Sequence, residues 1–329
     1  MTMQIGACLH REHSPAAAID QARAAETAGY DEFWVIEDCF YTAGPSLAAA
    51  ALTATESSGV GIGIMPAVAR NPAVTAMEIA TLAGLGPGRF HAGIGHGVQS
   101  WMAQMNERRD SPLAALTETI EAVRRLLAGE EVTVSGRYVS LDAVALDRPP
   151  TPAPPVSAGV RGPKSLAAAG RVADGTILAD FVSPSYVAWA AARVAEGTPA
   201  GGAAPPVATP HRLTVFAAMA IAPDGDRMRR IFGPILAEAC VDPAPSLRMA
   251  PFFDELAERA AEVGWPAAVD GMPADWWHQI AAVGDPDDAA AYVERMAAAG
   301  VDALAFFPDP ADPVTDLTRS AAALRRGLA

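Results

Sequence analysis

The chain has 329 residues, 51% hydrophobic and 19% charged, which is ample material for one large core, and its formal net charge is −14. That charge repels phosphate backbones and, with no Lys/Arg run or recognition-helix pattern, excludes nucleic acid as the partner. No apolar run approaches the ~20 residues that span a bilayer and no signal-type segment follows Met1, so a cytoplasmic protein without a membrane partner is expected.

In chain order, residues 3–9 read as a short apolar strand and residues 15–28 as an Ala-rich helix that opens at Ser14-Pro15 and stops at Gly29. The unit recurs as strand 32–36 with helix 45–55, strand 59–65 with helix 72–85, and strand 89–95 with helix 112–128. The continuously apolar "FWVI" and "VGIGIM" mark parallel strands buried on both faces and joined by helical crossovers. After a hairpin insertion at 131–146, turning at Ser135-Gly136, strands return at 155–159 and 176–178, and residues 212–221 and 303–307 supply the seventh and eighth. Eight such units close a TIM (β/α)8 barrel. A doubly wound sheet of this length would show a Gly-rich dinucleotide turn after its first strand, and none is present. The whole chain, 1–329, therefore reads as one barrel domain. Two segments depart from the repeat: 196–210 reads as a mobile surface loop, and 223–284 as a helical insertion before the last strand, expected to form a substrate lid. Its Trp265, Trp276 and Trp277 either line an apolar pocket or pack the insertion onto the barrel.

Active sites of such barrels lie at the C-terminal ends of the strands, which makes the residues following each strand the candidates. They are His10, then Glu37-Asp38-Cys39, Met65-Pro66, His96-Gly97, and Val160-Arg161-Gly162-Pro163-Lys164. The last run enters a helix, and helix N–H groups beside two cations suit a phosphate, an ordinary Gly-Pro helix start being the alternative. Gly61 and Gly63, inside a central strand, indicate either a backbone against which a flat cofactor rests or tight barrel packing. His96 stands between two glycines, where an imidazole of near-neutral pKa can exchange a proton. Glu37 and Asp38 point opposite ways on an extended backbone, so one faces the cofactor and the other closes an internal ion pair. Cys39 has no base beside it in sequence and reads as packing. Cys8, Cys39 and Cys240 form no ligand cluster, so no metal is expected.

The run "GIGIMPAVARNPAVTAMEIATLAGLGPGRFHAGIGHG" resembles the luciferase-like flavin-dependent oxidoreductase superfamily, with its Arg-x-Pro turn, helix, and Gly-Arg-Phe before a Gly-x-Gly strand end. "FWVIEDCFY" and "SAGVRGPKSLAAAGRVADGTIL" fall where that superfamily's second strand and phosphate region belong, so the resemblance covers most of 1–182. The chain is most similar to the branch using the deazaflavin coenzyme F420, like methylenetetrahydromethanopterin reductases. An FMN-dependent monooxygenase is the alternative, and a catalytically silent flavin-binding barrel a third reading. The resemblance implies hydride transfer between the deazaflavin and a small organic substrate, a homodimer, and a non-prolyl cis peptide at Gly63-Ile64 behind the cofactor ring. On this reading Asp38, Gly63, Ile64, Met65, Gly95, His96, Gly97, Gly159, Val160, Arg161, Gly162, Pro163 and Lys164 bind the cofactor. Glu37, Asp38 and His96 handle the proton, and His10 and Trp101 face the substrate. Two departures matter: Asp38-Cys39 stands where some deazaflavin enzymes have Asp-His, and Val98 where some have a glutamate. The acid of the sugar-phosphate dehydrogenase subgroup is missing, so that subgroup's substrate class is not carried over.

Overall fold

Ser14-Pro15, Asn71-Pro72, Ser111-Pro112, Ser183-Pro184, Asp285-Pro286 and Asp312-Pro313 each open a helix in the computed structural model, which describes residues 2–179, 181–198, 210–222 and 226–328. In each, the polar side chain accepts a first-turn N–H, and the proline occupies a position whose N–H would otherwise lack a partner. These starts punctuate a strand and helix alternation: β1 (Gln4–Cys8), α1 (Pro15–Ala28), β2 (Glu32–Val35), α2 (Gly44–Ala54), β3 (Gly59–Pro66), α3 (Pro72–Leu85) and β4 (Phe90–Gly95). A short α4 (Gln99–Gln104), which periodicity did not signal, precedes α5 (Pro112–Leu127). The hairpin β5 (Val132–Ser135) and β6 (Ser140–Val144) leads to β7 (Val156–Gly159), α6 (Pro163–Val172), β8 (Gly175–Leu178) and α7 (Pro184–Gly197). The remainder is β9 (Arg212–Ile221), α8 (Asp226–Ala239), α9 (Pro245–Arg248), α10 (Phe253–Val263), α11 (Trp265–Asp270), α12 (Ala274–Trp277), β10 (Ala281–Gly284), α13 (Pro286–Ala298), β11 (Ala303–Phe307) and α14 (Pro313–Arg326).

Among the described residues, β1, β2, β3, β4, β7, β8, β9 and β11 pair in parallel in that order, and β11 returns to β1. The fold is a TIM barrel. The segment expected to be a helical insertion also contributes β10, which pairs with Ala218–Ile221 of β9, starting at Ala218 where the pairing of β11 ends. β9 is long enough to leave its last residues without a partner on that side, and the four-residue Ala281–Gly284 carries too little pattern to be read as a strand. The insertion has its own apolar cluster. Trp276 stacks on Phe252 at 5.1 Å, Trp265 on Phe253 at 6.0 Å, and Trp277 is buried among them. The tryptophans therefore pack the insertion, and none of the three lines the cavity at the barrel mouth. Most of the expected loop at 196–210 lies outside the described residues.

The barrel interior is layered. At its N-terminal end Glu32, 1% exposed, accepts from Arg212 at 2.5 Å and from Trp34 Nε1 at 3.0 Å, with His91 Nε2 at 3.2 Å. Arg212 also reaches Gln4 Oε1 at 2.6 Å and His91 Nδ1 at 3.0 Å. The imidazole thus accepts on Nδ1 and donates from Nε2, the neutral tautomer, in agreement with a pKa lowered chiefly by burial. Above lies an apolar layer of Cys8, Trp34, Ile177, Phe216 and Ala305. A Cβ on Gly61 would overlap the Trp34 ring, and one on Gly63 the Phe216 ring, so the glycines of β3 admit the protein's own aromatics.

Arg212→Ala leaves the Glu32 carboxylate buried without its guanidinium, and is expected to cost about 3–5 kcal/mol in urea unfolding. His91 and His211 both have pKa values lowered from 6.5, first by burial. The unfolded chain therefore takes up their protons more readily. Stability is full above about pH 6.5 and declines as pH falls toward the folded-state values, so the melting temperature should drop between about pH 7 and 5.

Candidate active site

At the C-terminal end of the barrel the strand termini surround a cavity of about 500 Å³. One half is built of glycine and main chain: Gly63 and Ile64 from β3, Gly97 after β4, and Gly159, Val160, Arg161 and Gly162 after β7. The Gly63-Ile64 peptide is cis, as the resemblance implies. The Ile64 side chain occupies a slot that a Cβ would close, 2.6 Å from one on Gly159 and 2.7 Å from one on Gly95. Gly95 accordingly makes room for Ile64 and does not itself line the cavity, and Met65 is buried in the surrounding core.

The start of α6 faces this half. Gly162 caps it with no side chain, whereas Ser, Asn or Asp side chains cap α1, α3, α5, α7, α13 and α14. Nothing lies within 4 Å of where a Cβ on Gly162 would be. Ser165, in the first turn, lines the cavity, and its Oγ is 3.0 Å from His96 Nε2. Sequence reading missed Ser165; its position on the helix turn after Arg161-Gly162 was the available signal. Pro163 and Lys164 are in the same turn, but their side chains are exposed and outside the cavity wall. The His96 pKa is lowered first by burial, and its Nδ1 faces the Pro112 carbonyl without a hydrogen bond of normal geometry.

Glu37 and Asp38 both reach the rim, and each is held by an arginine from another loop. Glu37 accepts from Arg70 at 2.5 and 3.0 Å and from Gly44 N–H at 2.9 Å. Asp38 accepts from Arg11 at 2.9 Å, and the Arg11 guanidinium lies over the Tyr41 ring at 4.9 Å. The Cys39 thiol is pushed up by burial and by the carboxylates of Glu37 and Asp38, which leaves it a poor nucleophile. His10 does not line the cavity. Its Nε2 lies 2.6 Å from the Pro308 carbonyl and its ring packs at 5.2 Å on Phe307, so it supports the loop after β11. Burial lowers its pKa. Trp101 of α4 does line the cavity, and the opposite half is apolar: Ile36, Ile177, Ala179, Phe216 and Phe307.

The whole of this architecture has solved counterparts. The structure of a coenzyme F420-dependent tetrahydromethanopterin reductase from Methanopyrus kandleri overlays with a TM-score of 0.83 at 19% identity, covering 100% of both chains. In sequence, the chain is 32% identical over 162 residues to a 5,10-methylenetetrahydromethanopterin reductase of Methanolobus tindarius, 48% of either chain. It is 36% identical over 174 residues to an F420-dependent glucose-6-phosphate dehydrogenase of Beutenbergia cavernae, 46% of this chain and 49% of that one. The matches thus span about half the length of these curated relatives. The profile of the luciferase-like monooxygenase family matches residues 1–303, and with the barrel and the cis peptide in place the chain belongs to that family.

Proposed function

We propose that this protein is a coenzyme F420-dependent oxidoreductase, transferring a hydride between the deazaflavin and a small organic substrate. The observation that carries the reading is the uncapped start of α6, opening onto a glycine-walled cavity beside Ser165 and Arg161. Helix N–H groups and their dipole attract an anion, and the vacant volume at Gly162 lets a phosphate approach the main chain. Gly159, Val160, Arg161, Gly162 and Ser165 would hold that phosphate, with Gly63 and Ile64 as the wall for the ring, flanked by Asp38, His96 and Gly97. The names of the sequence relatives and the overlaid reductase favour F420 over FMN, whose phosphate fits the same residues.

Bound there, the deazaflavin would supply a two-electron hydride couple. The protein supplies position, exclusion of water and a proton. Phe216, Phe307 and Ile177 keep one side of the cavity dry. Glu37 is a positioning residue: with both oxygens on Arg70 and one on Gly44 N–H, it ties the loop after β2 to the loop after β3. His96, kept neutral by burial and oriented by its Nε2 contact with Ser165 Oγ, is the proposed proton carrier. Asp38, its Oδ2 on Arg11, contributes charge at the rim.

Fluorescence titration should give saturable binding of coenzyme F420 and much weaker binding of FMN; the reverse order would move the protein to the monooxygenase reading, and binding of neither would leave a silent barrel. Gly162→Asp separates site from scaffold. A carboxylate at this N-cap should leave folding stability unchanged or raise it by a few tenths of a kcal/mol, and lower cofactor affinity at least about tenfold through repulsion of the phosphate. His96→Asn should reduce turnover about 10²–10⁴-fold with little change in cofactor affinity. A matching loss of affinity would instead assign His96 to the phosphate site.

The same proposal places the protein in the cytoplasm, in keeping with three free cysteines, and makes it a homodimer. α3 is apolar around its circumference and leaves Val74, Met77 and Leu85 exposed in one helical stripe. Met77→Glu should shift the protein from dimer to monomer in light scattering at unchanged helicity.

A further inference from the structure

We infer that the substrate of this site is an uncharged, predominantly apolar compound, such as a ketone or the corresponding secondary alcohol, and that Phe307 is a specificity-determining residue. The inference rests on the deazaflavin reading above and goes beyond it to the chemistry of the second ligand.

The cavity is chemically divided. Its main-chain and cationic half, from β3 round to α6, suits the cofactor. The half left to a second ligand, from β8 through β9 and β11 to β2, presents Ile177, Ala179, Phe216, Phe307 and Ile36, with the carboxylates of Glu37 and Asp38 beyond Ile36. Among the described lining residues Arg161 is the one Lys or Arg, and it belongs to the loop between β7 and α6. The arginines that hold the rim carboxylates are themselves matched by acids. Arg11 faces Asp38 at 2.9 Å and Glu12 at 3.0 Å, and Arg70 faces Glu37 at 2.5 Å and Glu78 at 3.1 Å. Among the described residues that line the apolar half there is no Lys or Arg to offset a second anion. His96 is neutral near pH 7, because its pKa is lowered by burial.

A phosphate or carboxylate placed against this wall would give up its hydration for aromatic and aliphatic carbon, which is unfavourable. An uncharged ligand makes the opposite exchange, gaining burial of its apolar surface. Phe307 is the pivotal position. It ends β11, its ring is braced by His10 at 5.2 Å and Phe216 at 6.3 Å, and it meets the cavity opposite the phosphate cradle.

The test uses the F420-loaded protein and reads bound-cofactor fluorescence, without turnover. The cofactor dissociation constant is measured first; failure of F420 to bind would remove the functional reading, and this inference with it. With cofactor bound, cyclohexanone and 2-heptanone should each give a saturable change, with affinity at least about tenfold above that for pyruvate or glucose 6-phosphate. Equal or tighter binding of either anion, or no response to both ketones, would overturn the inference while leaving the cofactor assignment intact. Phe307→Arg should narrow or reverse the ratio by adding the missing cation. An unchanged ratio in a variant that still binds F420 would remove Phe307 from its role, and the wild-type panel decides the substrate class even if that variant does not fold.

Discussion

A buried carboxylate organises the barrel from below. Glu32 opens β2 inside the closed sheet, where an unpaired charge would be untenable, so its partners must come from across the interior: Arg212 at the start of β9, His91 on β4, and the indole of Trp34 two residues along its own strand. These contacts join strands that are not neighbours in the sheet and brace its closed section. The indole bond also sets the orientation of Trp34, whose ring fills the space left by Gly61 and meets Phe216 edge-on at 5.2 Å. Phe216 in turn fills the space left by Gly63 and forms part of the cavity wall. A charge pair at one end of the barrel is thereby linked, through two aromatic rings, to the shape of the cavity at the other.

At the mouth, electrostatics separates residues that share one loop. Glu37 and Asp38 are adjacent, but Glu37 is committed to Arg70 and the start of α2, while Asp38 stands at the rim with Arg11. Across the cavity the first-turn N–H groups of α6 have no side-chain cap, although the same chain caps six other helices with Ser, Asn or Asp. Capping groups are in ready supply along this sequence. α6 shares a glycine cap with α11 and the lack of a side-chain cap with several other helices, but its main-chain donors are the ones left available where the fold brings the strand ends around the cavity.

The strand and helix alternation was legible because each signal is local. Apolar runs such as "FWVI" need both faces buried, and cap-proline pairs state where helices begin. The eight barrel strands, the hairpin, and the helices up to α6, apart from α4, follow from those signals. The short β10 did not, because a four-residue strand depends on the unpaired end of β9 for its existence. Met65, Gly95 and His10 were good candidates by position at strand ends. Side-chain direction turns Met65 into the surrounding core, makes Gly95 a space for Ile64, and sets His10 behind Phe307.

What the sequence alone determined was the barrel, the family and the loops that carry chemistry, since these rest on periodicity, turn residues and motifs read over a few neighbouring positions. Tertiary structure decided that both adjacent carboxylates meet arginines, Glu37 with Arg70 and Asp38 with Arg11, and that Ser165 meets His96. It also decided that the β3 glycines admit Trp34 and Phe216, and that one half of the cavity is apolar. The contacts behind these features join residues from 27 to 182 positions apart, and their juxtaposition is fixed only when the sheet closes and the buried charges find their partners.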